Sequence, residues 1–117
     1  MTTNTDTQLP PTVRDFMAAH TARDADAASA FLADDAVVVD QAETFRGRAE
    51  VHAFLRDAGS EFRYTTEQTG TARVDDDHWT VTVHLEGTFP GGTADLDYRF
   101  ALRGDRIAEL VIAGHVG

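Results

Sequence analysis

The hydrophobic pattern of this chain changes period once, near Glu61, and that change restricts the folds open to it. Before it, apolar residues recur at helical spacing. Val13, Phe16, Met17 and His20 fall at i, i+3, i+4 and i+7, one apolar stripe that ends on a histidine. Pro10-Pro11-Thr12 starts this helix, with Thr12 as the expected cap. A shorter helix begins near Asp24 or Asp26 and buries Ala28, Phe31 and Leu32, and a strand follows over 36–40. Residues 41–44 read as a loop. Gly47-Arg48 opens a third helix with the stripe Val51, Phe54, Leu55 and Ala58, and Gly59 is placed to end it. After the change, apolar residues alternate. Strands are predicted near 62–74, 78–89, 94–103 and 106–113, separated by Asp75-Asp76-Asp77, Pro90-Gly91-Gly92 and Gly104-Asp105. Three helices followed by an antiparallel meander give an α+β order, and with the early strand added the sheet can curl around the helices.

At 117 residues there is room for one core. We expect a flexible tail over 1–10 and a single domain over 11–117. The polar, threonine-rich start is not a signal peptide, and no apolar run approaches the roughly 20 residues that span a bilayer. The chain has no cysteine, which excludes thiolate chemistry and fits a cytoplasmic location. Its net charge of −10, with ten arginines and no lysine, opposes binding to nucleic acid or to anionic membranes. No histidine pair has ligand spacing, so neither a metal nor a cofactor is expected. Gly91-Gly92 belongs to a hairpin and not to a phosphate loop, and no Gly-x-Ser-x-Gly elbow is present.

The chemistry-bearing stretch is FLADDAVVVDQAETFRGR, residues 31–48, in which Asp40 closes a strand of alanine and valine. An acid at the mouth of a buried strand has its pKa set by desolvation and is a candidate general base. Aspartate also closes strands simply by hydrogen bonding in the turn. The segment, with the amphipathic helix after it, resembles the SnoaL-like and ketosteroid-isomerase-like families, which share the nuclear transport factor two (NTF2-like) fold. The resemblance covers roughly residues 11 to 114. It implies a cone-shaped α+β fold in which a curved, mostly antiparallel sheet encloses a one-ended pocket against the three helices, that Asp40 is the base, and that the chain binds a small apolar or aromatic molecule.

Ketosteroid isomerase pairs its aspartate base with an oxyanion hole made by a tyrosine and a protonated aspartic acid. Against that pattern Phe16 stands where the first-helix tyrosine belongs, and Leu32 and Leu55 stand where supporting tyrosines do. The second acid falls on Asp97 in an ungapped count, or on Tyr98 if the inward apolar pattern is kept; the second choice avoids turning Leu96, Phe100 and Leu102 outward. Losing one oxyanion donor costs on the order of 100 to 1000 fold, about 3 to 4 kcal/mol, which argues against steroid isomerisation. Asp40, Tyr98 and His20 are the candidate catalytic residues. Phe16, Leu32, Val38, Leu55, Tyr64, Trp79, Val81, Val83, Phe100 and Leu110 are the candidate lining of the ligand site. The expected activity is acid/base catalysis of the isomerase, cyclase, dehydratase or epoxide hydrolase type, and the alternative is a noncatalytic ligand-binding or dimeric module. The last strand, apolar on both sides, predicts a homodimer.

Overall fold

The computed structural model describes residues 9–40, 42–57 and 62–115. Helices α1 (Pro11–Thr21), α2 (Ala25–Ser29) and α3 (Gly47–Asp57) pack on one curved, unclosed, mixed sheet. Its strands are β1 (Leu32–Asp40), β2 (Glu43–Arg46), β3 (Tyr64–Arg73), β4 (His78–Gly87), β5 (Thr93–Arg103) and β6 (Arg106–Gly114), in the order β2-β1-β6-β5-β4-β3. Every neighbouring pair described is antiparallel except β1 with β6, which run parallel. Among the described residues no helix is long and apolar enough to cross a membrane. Of the expected tail, residues 1–8 lie outside the described residues, whereas Leu9 is buried with the core.

The helical stripes pack as their spacing requires. Val13, Phe16 and Met17 of α1 and Val51, Phe54 and Leu55 of α3 are buried, while Ala58 and Gly59 lie outside the described residues. Thr12 does not cap α1. Pro11 takes the first helical position, which suits its fixed φ, and the Thr12 hydroxyl instead donates to the Asp105 carbonyl at 2.8 Å, tying α1 to the β5–β6 turn. Asp24 does cap α2, accepting from the Ala27 amide at 3.1 Å.

Three strand features depart from the sequence pattern. β1 starts at Leu32 and not at residue 36, because a bulge between Leu32 and Val37 lets Asp34 and Asp35 face solvent, where they meet Arg48 and Arg103. The expected loop over 41–44 contains the start of β2, which folds back on β1 through a tight turn with Ala42 at φ +72°. Alanine gives no turn signal, which hid that hairpin. In β6 the register shifts by one residue against β5, so Ile107 pairs with Leu102 while Glu109 pairs with Ala101. The bulge brings Ile107 inside together with Leu110 and Ile112. The bulge accounts for Ile107, while Val111 stays on the face opposite Leu110 and Ile112.

β3 is an edge strand, and β4 ends on Gly87 where the two strands converge. A Cβ built on Gly87 would lie 2.2 Å from the Arg63 carbonyl oxygen and 2.7 Å from Tyr64 Cα, whereas one on Gly70 would meet nothing closer than 3.9 Å. Gly87→Ala should therefore cost about 1 to 3 kcal/mol, and Gly70→Ala should be close to neutral. Thermal unfolding of both variants checks this; equal losses would contradict the close approach.

Candidate functional site

The register across the sheet determines which side chains share the concave face. Asp40 pairs with Ile112, Ile112 with Tyr98, and Tyr98 with Val81, so these four form one row. Their side chains fall on the same face as Val38, Leu110 and Phe100 of the row beneath. Two strand spacings separate the Asp40 and Tyr98 backbones, about 10 Å. Ile112 and Tyr98 are buried, and Asp40 is half-buried at the open end of β1. Asp97 lies on the opposite face, where the Thr82 hydroxyl donates to it at 2.7 Å and His115 Nδ1 lies 3.0 Å away. Burial pushes Asp97 up, but the bonds from Thr82 and His115, with Arg99 nearby, outweigh it and hold its carboxyl below the usual range.

His20, from the last turn of α1, meets Tyr98 over the sheet, with Nε2 and the phenol oxygen 3.1 Å apart. A neutral imidazole can donate or accept in this bond, according to its tautomer. Aromatic packing fixes the couple: His20 stacks on Phe16 at 5.7 Å, Phe16 meets Phe100 edge-on at 5.7 Å, and Tyr98 stacks on Phe100 at 6.4 Å. Burial, with the Arg23 charge adding, pushes His20 down to about 4. Burial also pushes the Tyr98 phenol up, with smaller contributions from Tyr64 and Asp40. Burial and the neighbouring Glu43 raise Asp40 above the ordinary carboxylate range. No hydrogen bond to the Asp40 carboxylate is made among the described residues.

The expected single cavity is divided. Phe16 and Phe100 take up its interior, and separate openings remain. One, of about 270 Å³, is lined by Met17, His20, Thr21, Arg23, Tyr64, Thr65, Thr66 and Tyr98. A second, of about 560 Å³, lies between the β1–β2 hairpin and α3 and is lined by Asp40, Glu43, Phe45, Glu50, Ala53, Phe54 and Asp57. A third, of about 430 Å³, adjoins the first and includes Val83. Of the expected lining residues, Tyr64 and Val83 border these openings. Phe16, Leu32, Val38, Leu55, Trp79, Val81, Phe100 and Leu110 are buried in the core, and none of them lines these three openings. Among them, the Trp79 indole N–H is buried without a partner.

Sequence reading missed Arg23 and the aromatic pair Phe45–Phe54, whose rings lie 4.7 Å apart beside Asp40. Phe45 lies within the stretch over 31–48 that carries the resemblance, but Arg23 carried no signal. Among the described residues no group of three or more His, Asp or Glu side chains is placed to hold a metal.

Helices laid on a curved mixed sheet, with an acid and a tyrosine on its concave face, define the NTF2-like, ketosteroid-isomerase-like fold. The chain belongs to the SnoaL-like family, whose domain matches residues 13–110. It is similar to a candidate polyketide cyclase from Sinorhizobium meliloti, with 31% identity and a TM-score of 0.85 over 94% of this chain and 100% of that one. A Catenulispora acidiphila protein with a ketosteroid isomerase-like fold, in complex with trimethylamine, is 21% identical with a TM-score of 0.77, over 92% of this chain and 87% of that one. A Mycobacterium tuberculosis protein in complex with estradiol-17β-hemisuccinate is 17% identical with a TM-score of 0.72, over 90% and 92%. None of the curated proteins matches.

The low pKa of His20 has a signed consequence. Between about pH 6.5 and 4 the unfolded chain takes up a proton that the folded His20 refuses, so stability is lost as pH falls through this window. The loss amounts to about 2 to 3 kcal/mol. Urea unfolding from pH 7 to 4 should show His20→Gln losing less stability than the parent by about that amount; parallel curves would contradict a buried neutral histidine.

Proposed function

We propose that this SnoaL-like protein binds a small apolar or aromatic metabolite on its concave face and performs cofactor-independent acid/base chemistry on it. The observation that carries this is the shared row: Asp40 and the His20–Tyr98 couple face one surface from opposite ends. The similarity to a candidate polyketide cyclase supports aldol-type cyclisation as the reaction. Asp40 takes a proton from a carbon beside a carbonyl, and its raised pKa makes it a stronger base than an exposed aspartate. Tyr98 donates to the enolate oxygen when His20 Nε2 carries the proton and donates to the phenol. The carbanion attacks a second carbonyl, a carbon–carbon bond forms, and the new alkoxide recovers the proton from Asp40. Atoms and electrons balance without an oxidant. A cytoplasmic location belongs to the same proposal, on the ground of the cysteine-free sequence.

Aryl 1,5-diketones, whose aldol closure gives a six-membered ring, test this reading when offered as substrates. Asp40→Asn should lower turnover by at least about 100 fold, and Tyr98→Phe by about 100 to 1000 fold. The parent's rate should rise with pH through a value above that of an ordinary aspartate. Full activity in Asp40→Asn would defeat the proposal.

A noncatalytic binding module is the second reading, favoured by Phe16 and Phe100 filling the space between the two openings. Both readings include a homodimer. Val37, Val39, Val111 and Ala113 lie half-buried on the outer face of β1 and β6, an apolar strip that a second copy would cover. Sedimentation across micromolar concentrations should give twice the chain mass; a monomer throughout would remove the dimer and leave the site unaffected.

A further inference from the structure

The three described helices lie on one side of the sheet. α1 reaches it through Phe16 on Phe100 and α3 through Phe54 on Phe45, both on the concave side, and α2 packs on those two helices. Among the described residues no helix covers the convex side, although β1 and β6 present Val37, Val39, Val111 and Ala113 there half-buried. A contiguous apolar strip rimmed by polar groups marks an interaction surface.

Two charges of opposite sign flank this strip. Arg99 of β5 pairs in register with Val111, and Glu109 of β6 pairs with Ala101 and Val37, so both side chains share the convex face with the valines. Both are exposed. Within one copy they are diagonal neighbours, about 7 to 8 Å apart at the backbone. Among the described residues neither enters an ion pair or a side-chain hydrogen bond. Arg99 lies near enough to Asp97 to help hold that carboxyl down, but Asp97 is already bonded to Thr82 and His115. Arginines elsewhere on the surface are paired more closely: Arg48 meets Asp34 at 3.0 Å, and Arg56 meets Asp57 at 3.0 Å.

We propose that a second copy of this chain packs on the strip about a two-fold axis, with Arg99 of each copy facing the partner's Glu109. The proposal rests on the homodimer put forward above and adds its register. A two-fold axis makes each contact occur twice, from i to j and from j to i, so one cation and one anion suffice to make the face self-complementary. With the axis in the plane of the interface, across the midpoint between Arg99 and Glu109, Val111 and Ala101 beside that midpoint come close to their own counterparts. A register slipped by one strand would bury both charges unpaired, which selects this one. The concave faces then open away from each other, and each copy keeps its own row of Asp40, Ile112 and Tyr98.

Sedimentation equilibrium of the full chain across micromolar concentrations tests this with two charge reversals, Arg99→Glu and Glu109→Arg. Each alone sets like charges opposite one another twice per dimer and should weaken dimerisation by about 10 to 100 fold. Mixed in equal amounts, the two variants should form a heterodimer with the parent's affinity, since each supplies the charge that the other lacks. Both remain acidic proteins, so bulk charge does not draw them together. The neutral variants Arg99→Gln and Glu109→Gln should each weaken the dimer by about three to fivefold, a readout that stands even where a reversal perturbs the fold. A parent dimer that the reversals leave intact, or a loss that mixing does not recover, would overturn the pairing and leave the dimer standing. A parent that is monomeric throughout removes the dimer and its register together.

Discussion

Strand β6 holds the two halves of this molecule together, and the site exists only because it does. On one side it runs parallel to β1, and on the other antiparallel to β5. Asp40 and Tyr98 belong to segments made early and late in the chain, and Ile112 of β6 supplies the single row position that aligns them. A parallel neighbour so distant in sequence is entropically costly to bring together. The row therefore closes only when the last strand has docked, and the bulge that takes Ile107 into the core adds apolar burial that favours that docking.

The two buried polar side chains that meet over the concave face, His20 and Tyr98, are neutral and locked, whereas the convex face carries pairs of charged groups. His20 and Tyr98 satisfy one another within an aromatic stack, where a charge on either would be desolvated. Outside, His84 is bonded to Asp95 at 2.8 Å and to Glu86 at 3.0 Å, and these carboxylates raise its pKa. Water screens such pairs, and they add little stability. Histidine thus has different uses on the two faces: α1 lays His20 over the concave one, and parity along β4 turns His84 to the other.

Much of the architecture was legible in the sequence, because periods of 3.6 and 2 residues are set by backbone geometry. The stripe from Val13 to His20 and the alternation along β4 and β5 give their elements directly. What escaped were departures from period: the bulges in β1 and β6 and the β1–β2 turn built on Ala42, none marked by glycine or proline. The site was legible in part. Asp40 and Tyr98 follow from strand parity, whereas Arg23 enters the pocket through a left-handed backbone that nothing in its neighbours announces. The division of the cavity was hidden because filling depends on side-chain volume summed over several elements, which no local pattern records.

The ends of the sheet set how this protein can meet others. β2 is an edge of only four residues, Glu43–Arg46. β3, the other edge, reads Thr-Thr-Glu-Gln-Thr, and its register against β4 slips between Gln68 and Gly70 while the Thr69 hydroxyl donates to the Thr82 carbonyl. Short, polar and irregular borders make poor templates for an added strand. An added strand therefore meets a four-residue border on one side and a polar, irregular one on the other, which disfavours outward growth of the sheet.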